Sequence, residues 1–155
     1  MKVLVPGVLA LLPSYASIAD PIADLRAACI AAVGELGPRV CVVASGPSGT
    51  RVGEALVAAT GATVVVDGAT GVLVVGNGSA KRTEKAPGHL DPRAEAFDAS
   101  LRASFADIDQ QLATDLWADT ACLGTLPPLA DADVRYDDAP FGVQYWVAVW
   151  RSAAP

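Results

Sequence analysis

Histidine is scarce in this chain: His89 is the only one. One histidine cannot build a facial triad of two histidines and a carboxylate within one subunit, nor a zinc site of several histidines. Cys29, Cys41 and Cys122 are odd in number and show no C-x-x-C spacing. A zinc ribbon or a disulfide framework is therefore poorly supported, and free, buried thiols in a reducing cytoplasm are the simpler account. Positive charge is also short. With 11 Lys and Arg against 17 Asp and Glu, the net charge is −6, which leaves no general basic face for nucleic acid. Long apolar runs are missing as well. The longest at the start, residues 3–12, is too short to cross a bilayer as a helix, so no membrane span is expected. Met1-Lys2 before that run and Ala16-Ser17-Ile18-Ala19 after it imitate a short secretory leader. Pro6-Gly7 interrupts the run, which favours a buried first strand.

What is present is apolar bulk: 52% hydrophobic residues against 18% charged and 6% aromatic over 155 residues. That balance implies one globular domain rich in Ala, Val and Leu. The first run is apolar throughout, as in a strand covered on both faces, with pairing expected after Pro6, over residues 7–12. Asp20-Pro21 reads as a helix start, Ile22, Leu25, Cys29, Ala32, Val33 and Leu36 recur at helical spacing, and Gly37-Pro38 closes the helix. Residues 40–44 form a second buried strand, 45–49 a loop and 52–60 a short helix. Further strands are expected at 63–66 and 72–75, then helices at 92–105 and near 108–123. Residues 134–136 and 143–150 suggest a closing hairpin. Alternation of strand and helix predicts an α/β domain: a mostly parallel central sheet flanked by helices, with a hairpin-like C-terminal end.

One stretch concentrates polar and conformationally special residues: 71–98, GVLVVGNGSAKRTEKAPGHLDPRAEAFD. A strand leads into Gly76-Asn77-Gly78-Ser79, where open α/β sheets place ligands and where glycines let backbone amides approach an anion. The Walker spacing is missing. Candidate ligand-binding residues are Ser14, Asn77, Ser79, Lys81, Arg82 and His89, and candidate catalytic residues are Ser79, Lys81, Glu84 and His89. Each also has an ordinary reading: a tight turn, solvated basic residues, a surface histidine. Ser45 and Ser48 are further loop hydroxyls, but no G-x-S-x-G elbow surrounds any serine. Asp91 before Pro92 makes a good N-cap by itself. Trp117, Trp146 and Trp150 suit core or interface anchoring better than a stacking platform.

Gly76-Asn77-Gly78-Ser79-Ala80, Ala86-Pro87-Gly88, Asp91-Pro92-Arg93 and Phe97-Asp98 together resemble a signature of the class III extradiol ring-cleavage dioxygenases, subunit-B-like. Pro13-Ser14-Tyr15 after the first strand resembles that family's Pro-His-Pro, and the turn over residues 136–142 resembles the end of short actinobacterial-type members. The resemblance is sharp over about thirty residues and loose elsewhere. It implies the family's α/β fold. It also implies non-haem Fe(II) on two histidines and a glutamate, with a further histidine as acid–base. Ser14 stands where the first ligand is expected, Ala80 where the acid–base histidine is expected, and the region of Ser45 to Ser48 has no histidine. The metal site is therefore expected to be lost, with no cofactor.

Three readings stay open at this level. The chain is an iron-free relative binding a small molecule or partner in the old cleft. Alternatively it is an enzyme of different, hydrolase-like or anion-binding chemistry built on residues 76–89. A third reading is a dioxygenase completed by a partner subunit. A homo-oligomer is expected if the aromatic final strand lies at a sheet edge, since such an edge invites pairing. A cytoplasmic location is expected.

Overall fold

The computed structural model describes residues 1–15 and 20–151. Residues 16–19, part of the leader-like stretch, lie outside them. The chain forms strands β1 (Lys2–Val5), β2 (Arg39–Val43), β3 (Thr63–Val64), β4 (Gly71–Val75), β5 (Asp133–Asp138) and β6 (Tyr145–Trp150). Its helices are α1 (Ala23–Gly34), α2 (Pro47–Ala59), α3 (Ala94–Ala103) and α4 (Gln110–Asp115). The six strands form one sheet in the order β3-β2-β4-β1-β6-β5. The first four run parallel, and β6 joins β1 antiparallel and carries β5 as a hairpin. The α/β class, the mostly parallel sheet and the C-terminal hairpin agree with the sequence reading.

Alternation along the strands sorts the core into two layers. Val3, Val5, Leu73, Val75, Val147 and Val149 point to the face covered by α1 and α2, through Leu25, Cys29, Val33, Val52, Leu56 and Val57. Leu4, Val74, Trp146 and Ala148 point to the other face, against Phe97 and Leu101 of α3, Phe105 beyond its end and Leu116 beyond α4. Burial among α1 and β-sheet residues pushes the Cys29 thiol up to about 12, so it acts as a small apolar side chain. No described helix is long and apolar enough to cross a membrane.

Several boundaries differ from expectation, each for a local reason. The first strand precedes Pro6 instead of following it, and residues 9–11 form a single 3-10 turn. Proline lacks the amide that would continue the ladder. Arg26 on α1 then holds this loop, donating to the carbonyls of Leu11 at 2.7 Å and Ala10 at 2.6 Å and pairing with Asp20 at 2.8 Å. Helix α2 begins five residues early, at Pro47, because proline at the first helical position breaks nothing. The long helix expected near 108–123 stops at Asp115. The final strand is not an edge: β6 lies between β1 and β5 with all six residues buried. The condition attached to the homo-oligomer expectation is thus unmet at that strand.

Candidate functional site

The switch point, where open α/β sheets characteristically form a crevice, lies where neighbouring strands send the chain to opposite faces. Beyond their carboxyl ends, β1 and β2 lead to α1 and α2 on one face, and β4 leads to α3 on the other. Open α/β sheets bind ligands at this point. Three small residues keep the backbones close there. A Cβ on Gly7 would sit 3.1 Å from Val75 Cγ1, and one on Gly49 would sit 3.3 Å from the Ala44 Cβ. At Gly76 a Cβ would meet the Asp119 carbonyl at 2.8 Å. The segment following α4 closes one side. Asn77 and Asp119 exchange amide-to-carbonyl hydrogen bonds of 3.0 Å each way, and the Asp119 carboxylate accepts from the exposed Ser45 hydroxyl at 2.7 Å. Gly46, the residue preceding α2, offers no side-chain cap to the first amides of that helix.

Residues 76–80 are stitched along both sides. Gly78 donates to Gln144 and Gln144 to Ser79, while Ala80 donates to Leu116. Ser79 is fully buried, its amide and hydroxyl donating to Asp98 Oδ1 and Oδ2 at 2.7 and 2.6 Å. Asp98 comes from α3, where Ala94, Phe97, Asp98 and Leu101 share the inner face. The network continues outward. Arg82 Nη1 bonds Gln144 Oε1 at 2.8 Å and lies 3.3 Å from Asp98, Gln144 Nε2 donates to Asp137 at 2.7 Å, and Arg102 grips Asp137 with two bonds. Burial raises the Asp98 carboxyl above its ordinary value, against the lowering effect of Ser79 and Arg82. Burial also works to raise Asp137, but Arg102 and Gln144 prevail and its carboxyl lies lower than usual.

The sequence-expected residues do not converge on one cavity. Ser14 is exposed on the turn after β1. Asn77 is half-buried beside the switch point, its side chain donating to the Gly78 carbonyl at 3.2 Å. Ser79 and Arg82 face the buried network. Lys81 extends over the Trp117 ring, 5.2 Å from its centroid. Glu84 is exposed and lines a surface hollow of about 510 Å³ with Thr83, Lys85, Pro140 and Phe141. His89 is exposed in the left-handed region at φ 61°, with Nδ1 3.4 Å from the Glu84 carbonyl. Asp91 is not the N-cap expected of it, because α3 starts later, with Arg93 in that position; Asp91 instead accepts from the Arg93 amide and guanidinium in the preceding turn, and Arg93 holds its carboxyl down at about 2.

Fe(II) does not fit these residues. Ser14 is exposed, Ala80 is buried and carries no donor, and among the described residues no three His, Cys, Asp or Glu side chains gather to hold a metal. Asp119, Gln144 and the bonding role of Asp98 escaped the sequence reading. Asp119 fell inside an expected helix and gave no signal. Asp98 did give one, a carboxylate on an otherwise apolar helical face. Comparison with family models, with curated proteins and with solved structures returned no match.

Proposed function

We propose that this chain is an iron-free relative of the class III extradiol dioxygenases that binds a small molecule at the carboxyl ends of β1, β2 and β4 without turning it over. The observation that carries this reading is the fate of the catalytic-type loop. Ser79 gives both its donors to Asp98, and Ala80 occupies the position the resemblance assigns to the acid–base histidine. Over residues 76–80 that loop acts as scaffold, its one hydroxyl committed to Asp98. The binding side is supported by the switch-point geometry, the uncapped first turn of α2 and the Ser45–Asp119 pair, which offers a hydroxyl and a carboxylate to a polar ligand. The three free thiols support a reducing, cytoplasmic setting.

Amide NMR with catechol, the simplest ortho-diphenol, tests the reading. Expected are saturable shifts at Gly7, Ser45, Asn77 and Asp119, removed by Asp119→Ala, with catechol recovered unchanged. Shifts elsewhere only, or conversion of catechol to a ring-opened product, would overturn it.

A further inference from the structure

The surface hollow beside Glu84 lies between two turns that the fold ties together through their backbones. In the first, the Ala86 amide donates to the Thr83 carbonyl at 3.1 Å, and Ala86 itself is buried. The second is the turn between β5 and β6, which brings Gly142 against the first, with the Arg82 amide donating to the Gly142 carbonyl at 3.0 Å. Gly142 stands in the left-handed region at φ 75°, and a Cβ there would collide with Ala86 and with the Thr83 hydroxyl. Backbone thus meets backbone at the seam, and the walls of the hollow are held in place by the fold itself.

The lining divides by chemistry. Pro140 and Phe141 supply the apolar part. Phe141 is 46% exposed and belongs to neither core layer, so folding leaves its ring unused. Thr83, Glu84 and Lys85 supply the polar part. Among the described residues their side chains make no hydrogen bond or ion pair, whereas Glu35 and Asp137 elsewhere on the surface each pair with an arginine. The space, about 510 Å³, falls within the range of about 300–1,000 Å³ typical of small-ligand sites.

We propose that this hollow binds an aromatic α-amino acid as its zwitterion. The ligand class follows from the lining. A free cation and a free carboxylate stand on consecutive residues, which suits a ligand carrying both charges around one carbon. The ligand carboxylate meets Lys85, its ammonium meets Glu84, and its side chain lies against Pro140 and Phe141. An aromatic side chain suits Phe141 best, through edge-to-face or offset stacking. A ligand with one charge leaves Glu84 or Lys85 unmatched, and a purely apolar one leaves both. The hollow shares no residue with the switch-point site proposed above and does not rest on that reading.

Amide NMR of the full chain titrated with L-phenylalanine tests this, from about 0.1 mM to about 50 mM, a range chosen for a weak, open site. Saturable shifts are expected at Thr83, Glu84, Lys85 and Phe141. Phe141→Ala is expected to weaken binding about tenfold, and Glu84→Gln and Lys85→Gln about threefold each. All three positions are exposed, so the thermal transition is expected to stay unchanged. Two truncated probes separate the charges. Phenylacetate lacks the ammonium and is expected to respond to Lys85→Gln but not to Glu84→Gln. Phenethylamine lacks the carboxylate and is expected to show the reverse. No saturable shifts, shifts at Gly7, Ser45, Asn77 and Asp119 instead, binding unaltered in Phe141→Ala, or charge variants that do not discriminate between the truncated probes would each overturn the assignment.

Discussion

Asp98 accepts hydrogen bonds from both the amide and the hydroxyl of Ser79, across a helix and a strand-end loop that the sheet holds together. One carboxylate thereby fixes the direction in which the chain leaves β4. Because the pair is buried, removing either member strands the other. Ser79→Ala is expected to cost about 1–3 kcal/mol of unfolding free energy. Asp98→Ala, which leaves both Ser79 donors unpaired and removes one of Arg82's two partners, is expected to cost more than Ser79→Ala. Urea denaturation measures both. A Ser79→Ala variant as stable as wild type would show that the serine is held for something other than the fold.

The buried carboxyl also leaves a signature in pH dependence. Its folded value lies above the ordinary 3.8, with burial as the main cause. A raised carboxyl binds its proton more readily folded than unfolded. Its stabilising contribution is therefore complete below the unfolded value and lost as pH rises through the folded one. Between about pH 7 and about pH 4, the stability difference between wild type and Asp98→Asn is expected to move in favour of wild type on acidification. Asp137, held low by Arg102, works with the opposite sign: its contribution is present above the unfolded value and lost as pH falls through the folded one. An Asp98→Asn curve running parallel to wild type over that range would contradict this assignment.

Trp117 occupies a backbone position that usually belongs to glycine. Helix α4 ends with Trp117 donating to Thr114 and Ala118 to Ala113, the bond pair of a Schellman motif, and Trp117 sits in its left-handed position at φ 58°. Trp117 is 57% exposed and carries Lys81 over its ring. Comparing Trp117→Gly with Trp117→Ala removes the indole from both and isolates the backbone. The glycine variant is expected to be the more stable by about 1 kcal/mol in thermal or urea unfolding. Equal stabilities, or a better alanine variant, would contradict this.

Much of the fold is legible in the sequence because apolar runs and punctuation mark it plainly. Asp20-Pro21 and Gly37-Pro38 bracket α1, and the continuous apolar strands signal a sheet covered on both faces. The failures share a cause: proline and glycine mean different things at different positions. Pro6 ended β1 instead of preceding it, and Pro47 opened α2 where the sequence suggested a loop. Local pattern also carries no information on which strands end up at the margin. The aromatic run of β6 is central, and the plain run at β3 is an edge. In the site, the glycine turn after β4 was recognisable, but its polar residues diverge. Whether Arg82 turns inward depends on Gln144, 62 residues away, and no spacing rule reaches that far.

The proposed reading has this fold holding a ligand site at the switch point without the iron of the family it resembles. Anaerobic titration of the purified protein with Fe(II), followed by iron analysis after desalting, tests it most directly. No saturable binding and far less than one iron per chain are expected. Retention of about one iron per chain, lost on Asp119→Ala or Ser14→Ala, would contradict it.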